Sequence, residues 1–303
     1  MTQNQKVTPG VYPMLYAFFD TSGALRLDAL KRQIDAAMAV NCAGVAVLGL
    51  ATEVSKLSET ERETVLRTVA DHLGGAASLM VTVFGETPAT QIRFAKMATD
   101  AGADWLTLQP PPTYMDDETL TAFFSEITTA VDAPLGVQNA AEFIGFGLSN
   151  ASIQTLAARH SNFMATKLEC PAVDLAEAAE TLGASVSLFN GRCGLELPDN
   201  LRAGAAGVVP SIETADLHMG IWDAFQAGDL ARSDALYAEA APIIASLMQG
   251  VPHLVAYGKL LAAGRLGIEP CAGRAPVKAM TAFGRDVTNR QAVGLGRLPI
   301  GSA

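Results

Sequence analysis

Apolar and polar residues along this 303-residue chain alternate between two textures. Short runs of small and branched apolar residues, such as "GVAVL" at 44–48 and "LMVTV" at 79–83, are separated by stretches of helical spacing. Examples of the latter are Leu30, Ile34, Ala37 and Met38, or Ile92, Ala95, Met97 and Ala98. Continuous apolar runs suit strands covered on both faces, and the longer period suits amphipathic helices. Three times a helical stretch closes on Ala-Gly and passes straight into such a run: "NCAGVAVLGL" (41–50), "DAGADWLTLQ" (100–109) and "RAGAAGVVPS" (202–211). Glycine just past a helix end supplies the left-handed cap, so each copy is an α-to-β step.

Strands are expected at 11–18, 44–48, 79–83, 104–109, 134–138, 163–168, 186–190 and 207–211. Ser58 followed by Glu61 in "LSETER" is a capping-box pattern and starts a helix after the second strand. Eight β/α units over about 210 residues fit a (β/α)8 TIM barrel better than a doubly wound sheet. The expected division is a barrel over residues 1–214 and an Ala-rich helical appendix over 215–303, packed on the barrel rather than forming a second catalytic domain.

Composition narrows the partners. The net charge is −10, and the 21 Lys and Arg residues do not cluster, which argues against nucleic acid and for a small molecule. No run approaches the roughly 18 apolar residues of a spanning helix, and "MTQNQKVTPG" has no apolar leader core, so no membrane is implied and a cytoplasmic location is expected. Cys42, Cys170, Cys193 and Cys271 lie far apart with no CxxC pair, fitting a reducing compartment and offering no metal site. No GxGxxG or GxxxxGK[ST] loop is present, so no nucleotide cofactor is expected.

A barrel of this kind places its chemistry at the C-terminal ends of its strands. The polar residues there are Ala51, Thr52 and Glu53 (Ala51 for its backbone N–H), then Gln109, Gln138, Asn139, Lys167, Glu169, Asn190, Gly191, Arg192 and Ser211. Two readings of Lys167 stand side by side. Burial disfavours an ammonium ion and exposes an amine able to attack a carbonyl; equally, a lysine can snorkel to solvent or pair with Glu169. Glu169, two positions on, reads as structural, and Glu53 as a hydrogen-bond acceptor rather than a base. The Ala51 and Thr52 backbone N–H groups suit a substrate carboxylate, against the plainer reading of a tight loop. Arg192 suits a distal acid or hydroxyl, or a surface ion pair, and Ser211 a polyol tail. His72, His160, His218 and His253 all fall away from strand ends.

"GLATEVSKLSETER" (49–62), "TKLE" (166–169), "FNG" (189–191) and the tail "LGIEPCAGRAPV" resemble the dihydrodipicolinate synthase/N-acetylneuraminate lyase family of class I, Schiff-base-forming lyases. The resemblance runs along nearly the whole chain. Gly49, Glu53, Leu57 and Glu61 meet the family's second-strand spacing, and Lys167 sits at its imine-forming position. The resemblance implies a 2-keto acid substrate, Lys167 as the nucleophile, no cofactor and no metal, and a homo-oligomer, tetramer or dimer.

The departures from that family are specific. Its usual Gly-Thr-Thr-Gly-Glu is Gly49-Leu50-Ala51-Thr52-Glu53 here, so a relay hydroxyl is missing. Its usual Tyr-Asn after strand five is Gln138-Asn139, so a catalytic phenol is missing. Its inter-subunit Tyr meets Pro112, with Tyr114 nearby, and its carboxylate-binding Arg aligns near Phe143. "GVQNAA" (136–141) resembles the branch that dehydrates 2-keto-3-deoxy sugar acids, with Gln138 holding a water. The expected function is therefore dehydration of such an acid. Competing expectations are a pyruvate-dependent aldolase or a synthase-like condensation, and a binding protein that keeps the barrel without catalysis.

Overall fold

The computed structural model describes residues 7–269 and 273–301; Cys271 and the middle of the "LGIEPCAGRAPV" tail lie outside the described residues. Eight parallel strands, β1 (Gly10–Val11), β2 (Gly44–Val47), β3 (Ser78–Val83), β4 (Trp105–Leu108), β5 (Leu135–Asn139), β6 (Phe163–Leu168), β7 (Ser187–Asn190) and β8 (Gly207–Val208), run in the order β1-β8-β7-β6-β5-β4-β3-β2. Met14 bridges both Ala46 and Ser211 and so closes the sheet into a barrel.

The expected strands at 11–18 and 207–211 are both shorter than the apolar runs that suggested them. Pro13 and Pro210 have no N–H to give to a ladder and serve only as acceptors, from Ala46 N at 3.0 Å and Met14 N at 2.7 Å. Beyond them the Tyr16 N–H leaves the sheet and donates to Gln33 Oε1 at 2.8 Å, while Gln33 Nε2 donates back to Tyr16 O at 3.0 Å.

The strands alternate with α1 (Leu27–Ala39), α2 (Glu59–Leu73), α3 (Pro88–Asp100), α4 (Asp117–Ala130), a single turn α5 (Ala141–Ile144), α6 (Asn150–Arg159), α7 (Ala172–Leu182) and α8 (Leu197–Arg202). Helix α2 starts at the expected capping box: Glu61 N donates to Ser58 Oγ at 3.2 Å and Ser58 N to Glu61 Oε2 at 2.9 Å. After β8, helix α9 (Ala215–Gln226) packs beside α8 and β1, so the division expected at 214 falls at the start of this helix. Helices α10 (Leu230–Leu247), α11 (Val251–His253), α12 (Lys259–Leu266) and α13 (Ala282–Leu295) complete the C-terminal region.

Among the described residues no single helix is long and apolar enough to cross a membrane; α10 and the α11 to α12 stretch meet that measure only together, across a 96° bend. Inside the barrel Tyr12, Trp105 and Phe189 pack ring against ring, with Trp105 and Phe189 centroids 4.9 Å apart. This aromatic filling makes the barrel a packed core and leaves one end for chemistry.

Candidate active site

A register shift between β5 and β6 sets the centre of the site. Leu135 pairs with Phe163, but Gly136 pairs with Ala165, so β6 carries one extra residue and Gln138 comes to lie opposite Lys167. Without that bulge Gln138 would face Thr166, and its amide and the amine would leave opposite faces of the sheet. The close approach requires a glycine, because a Cβ on Gly136 would stand 1.9 Å from the Ala165 carbonyl oxygen.

Lys167 is buried, and its Nζ donates to Glu169 Oε1. The other carboxylate oxygen of Glu169 accepts the Arg192 backbone N–H. Both charged side chains line a cavity at the C-terminal end of the strands, with Met14, Leu50, Ala51, Phe143, Cys193, Val209, Ser211 and, from the α10 to α11 joint, Met248, Val251 and Leu254. A mostly apolar wall around one ion pair strengthens that pair's electrostatics. The pairing expected as one of two readings of Lys167 therefore exists, but inside the cavity.

Glu169 was read from sequence as structural, and its contacts assign it to the cavity. Period-two alternation puts residues 167 and 169 on one face of β6 and its extension, and that was the signal available. Gly191 explains how the carboxylate fits: a Cβ there would lie 2.3 Å from Glu169 Oε2. The turn that follows is bent by Arg192 and Cys193, with φ of 48° and 55°. Cys193 lines the cavity too, and nothing in its sequence surroundings signals this. Burial pushes that thiol up to about 12, so it keeps its proton.

Gln138 is fully buried, and among the described residues neither its Oε1 nor its Nε2 has a hydrogen-bond partner. Thr82 and Thr107, paired across β3 and β4, likewise carry buried hydroxyls without one. Buried polar groups of this sort call for a water or a ligand.

The remaining expected residues divide. Ala51 lines the cavity, and among the described residues its backbone N–H and that of Thr52 have no protein acceptor. The Thr52 hydroxyl turns away and donates to Leu15 O at 2.6 Å. Asn139 binds the Leu148 backbone with both amide ends, at 2.8 and 2.9 Å, and so ties down the segment after α5. Arg192 lies 3.2 Å from both Glu142 and Glu196, a partly covered ion pair. Ser211 lines the cavity and donates to Glu213 Oε1 at 2.6 Å. Glu53 is buried and holds Lys56 and Lys259, matching its reading as an acceptor. None of the four histidines lines the cavity, and among the described residues no group of three or more His, Cys, Asp or Glu is arranged to hold a metal ion.

A buried amine paired with a carboxylate can attack a carbonyl carbon and hand off its proton. The model of the dihydrodipicolinate synthetase family matches residues 8–282. 4-Hydroxy-tetrahydrodipicolinate synthase 1 of Streptomyces coelicolor is 29% identical over 266 residues, 86% of this chain and 85% of its own. A DapA-like lyase of Halobacterium salinarum is 26% identical, covering 95% of this chain and 94% of its own. In fold, the dihydrodipicolinate synthase of Rhodopseudomonas palustris superposes with a TM-score of 0.86 at 23% identity, over 95% of this chain and 99% of that one. A catalytic lysine mutant of Ruminococcus gnavus sialic acid aldolase does so with 0.85 at 19%, over 94% of each. With the family match spanning the barrel from before β1 to the start of α13, this chain belongs to the dihydrodipicolinate synthetase family.

Proposed function

We propose that the protein is a class I, imine-forming lyase acting on a 2-keto acid, and that it removes water from a 2-keto-3-deoxy sugar acid. The observation that carries this reading is the Lys167 and Glu169 pair in the cavity, with an amide, Gln138, across from the lysine in place of a phenol. In this scheme Glu169 takes a proton from Lys167, and the amine attacks the C2 carbonyl. The carbinolamine loses water to give the imine, whose nitrogen acts as an electron sink. The substrate carboxylate sits on the Ala51 and Thr52 backbone N–H groups.

From that imine a C3 proton passes to a base. Glu169 is the nearest carboxylate to the lysine nitrogen, and a water on Gln138 carries the proton when the distance is too great for direct transfer. The resulting enamine expels the C4 hydroxyl as water, and hydrolysis frees Lys167. Gln138 cannot exchange protons near neutral pH, so it orients and does not titrate. Phe143 on the cavity wall places an apolar ring where synthase-like condensation calls for a cation, which favours dehydration over that alternative.

A second reading, carbon–carbon cleavage or joining with pyruvate, draws support from the synthase and aldolase names among the relatives. The two separate by product. Incubation with a panel of 2-keto-3-deoxy acids should give dehydrated keto acids and no pyruvate; release of pyruvate from every acid in the panel would replace the first reading by the second. We also infer an assembly of several copies, tetramer or dimer, which sedimentation would measure.

A further inference from the structure

Behind Ser211 lies a carboxyl group that the scheme above does not use. Glu213 is fully buried, and its Oε1 accepts hydrogen bonds from Ser211 Oγ at 2.6 Å and from the Tyr16 hydroxyl at 3.0 Å. Its Oε2 is buried without a partner among the described residues. Arg265 makes no hydrogen bond to this carboxylate: it grips Asp216 with two hydrogen bonds, at 2.8 and 2.7 Å, and meets Glu213 at its main-chain carbonyl. Ser211 in turn faces the cavity and lies 2.9 Å from Cys193 Sγ. The chain Glu213, Ser211, cavity is therefore continuous, and it ends beside the Lys167 and Glu169 pair.

We propose that Glu213 is a proton reservoir that acts through Ser211 on the substrate, replacing the hydroxyl and phenol relay lost at Ala51 and Gln138. The inference rests on the dehydratase reading. With its proton on Oε1, Glu213 reverses the 2.6 Å hydrogen bond and passes that proton to Ser211 Oγ, as the Ser211 hydroxyl, turned toward the cavity, gives its own proton to the departing C4 oxygen, which leaves as water. The carboxylate regains a proton from solvent once the product has gone, so atoms and charge balance over the cycle. Glu213 is a positioning residue in this scheme, and Ser211 is the group that touches the substrate.

The groups facing Glu213 are Tyr16 from the segment after β1, Cys193 from the turn after β7, Ser211, and Arg265 from α12 with its partner Asp216; Glu169 lies across the cavity. Burial holds the Tyr16 phenol well above its ordinary range and Cys193 up to about 12, so both keep their protons near neutrality. Burial also pushes the Glu213 carboxyl up to about 7, against the smaller opposing effects of its hydrogen bonds to Ser211 and Tyr16. A carboxylic acid poised there matches the requirement for acid catalysis at neutral pH.

The test is the pH dependence of kcat for dehydration in wild type, Glu213→Gln and Ser211→Ala. Wild-type kcat should fall as pH rises through about 7. Glu213→Gln keeps the shape and the hydrogen bonds, yet should lower kcat roughly 10- to 100-fold and flatten that limb, while borohydride trapping of pyruvate on Lys167 keeps its wild-type rate. Ser211→Ala should lose the same limb, and it carries the test should Glu213→Gln not fold. Dehydration by both variants with wild-type kcat and an unchanged limb would overturn the relay and leave the dehydratase reading intact. A wild type that releases pyruvate instead of water would overturn both.

Discussion

Gln138 and Lys167 are register partners across β5 and β6, and the one-residue bulge between Leu135 and Gly136 makes them so. An amide whose two polar atoms have no partner among the described residues thus stands beside the buried amine of Lys167. A neutral hydrogen-bonding group at that point directs where a water or a hydroxyl sits without competing for protons. In the proposed mechanism, the reaction following imine formation is governed by position at β5 and by proton supply elsewhere.

Truncating this amide isolates its contribution. Gln138→Ala is expected to slow turnover roughly 10- to 1000-fold, the scale of one lost orienting hydrogen bond, while pyruvate is still trapped on Lys167. Steady-state kinetics beside intact-mass measurement checks both halves. Full turnover in the variant would remove Gln138 from the mechanism.

Gly191 is expected to be intolerant of the smallest side chain. A methyl group there meets Glu169 Oε2 at 2.3 Å and must push the carboxylate away from Lys167 and from the Arg192 N–H. Overpacking of this kind costs about 1 to 3 kcal/mol, so Gly191→Ala should melt several degrees lower and turn over at least about tenfold more slowly. A variant with wild-type turnover would show that the Glu169 position is immaterial.

Much of this was legible in the sequence because apolar runs and Ala-Gly caps report the strands directly, and Lys167 follows from a family resemblance carried by neighbouring motifs. The shorter β1 and β8 were hidden, since Leu15, Tyr16 and Phe18 beyond Pro13, and Val209 before Pro210, are as apolar as strand residues although the chain leaves the strand there. Period two puts Glu169 on the same face as Lys167, a placement the sequence carries. Glu213 and Cys193 were not legible: their places depend on the turns after β8 and β7, and the left-handed residues of the latter, Arg192 and Cys193, carry no sequence mark that a glycine would. Asn139 and Thr52 show the converse, polar residues at the right strand ends whose side chains are taken up by the Leu148 and Leu15 backbones.

Stability should carry the signature of Glu213. Its folded-state pKa, about 7, lies above the ordinary 4.5. Its stabilising contribution is fully present below about 4.5 and is lost as pH rises toward 7, because the unfolded chain releases the proton first. The loss over that window is of order 3 kcal/mol, from about 1.4 kcal/mol per pH unit. The difference in unfolding free energy between wild type and Glu213→Gln, followed by denaturant titration at several pH values, should fall across this window. A difference independent of pH would mean that the carboxyl is already ionised in the folded protein.

Lys167 is proposed to form the imine, and borohydride reduction in the presence of pyruvate reads that bond out on the protein itself. The intact mass should rise by one reduced pyruvate adduct per chain, peptide mapping should place it on the segment holding Lys167, and Lys167→Ala should take up none. An adduct of the same mass persisting in Lys167→Ala, or mapping to another lysine in the wild type, would contradict the account.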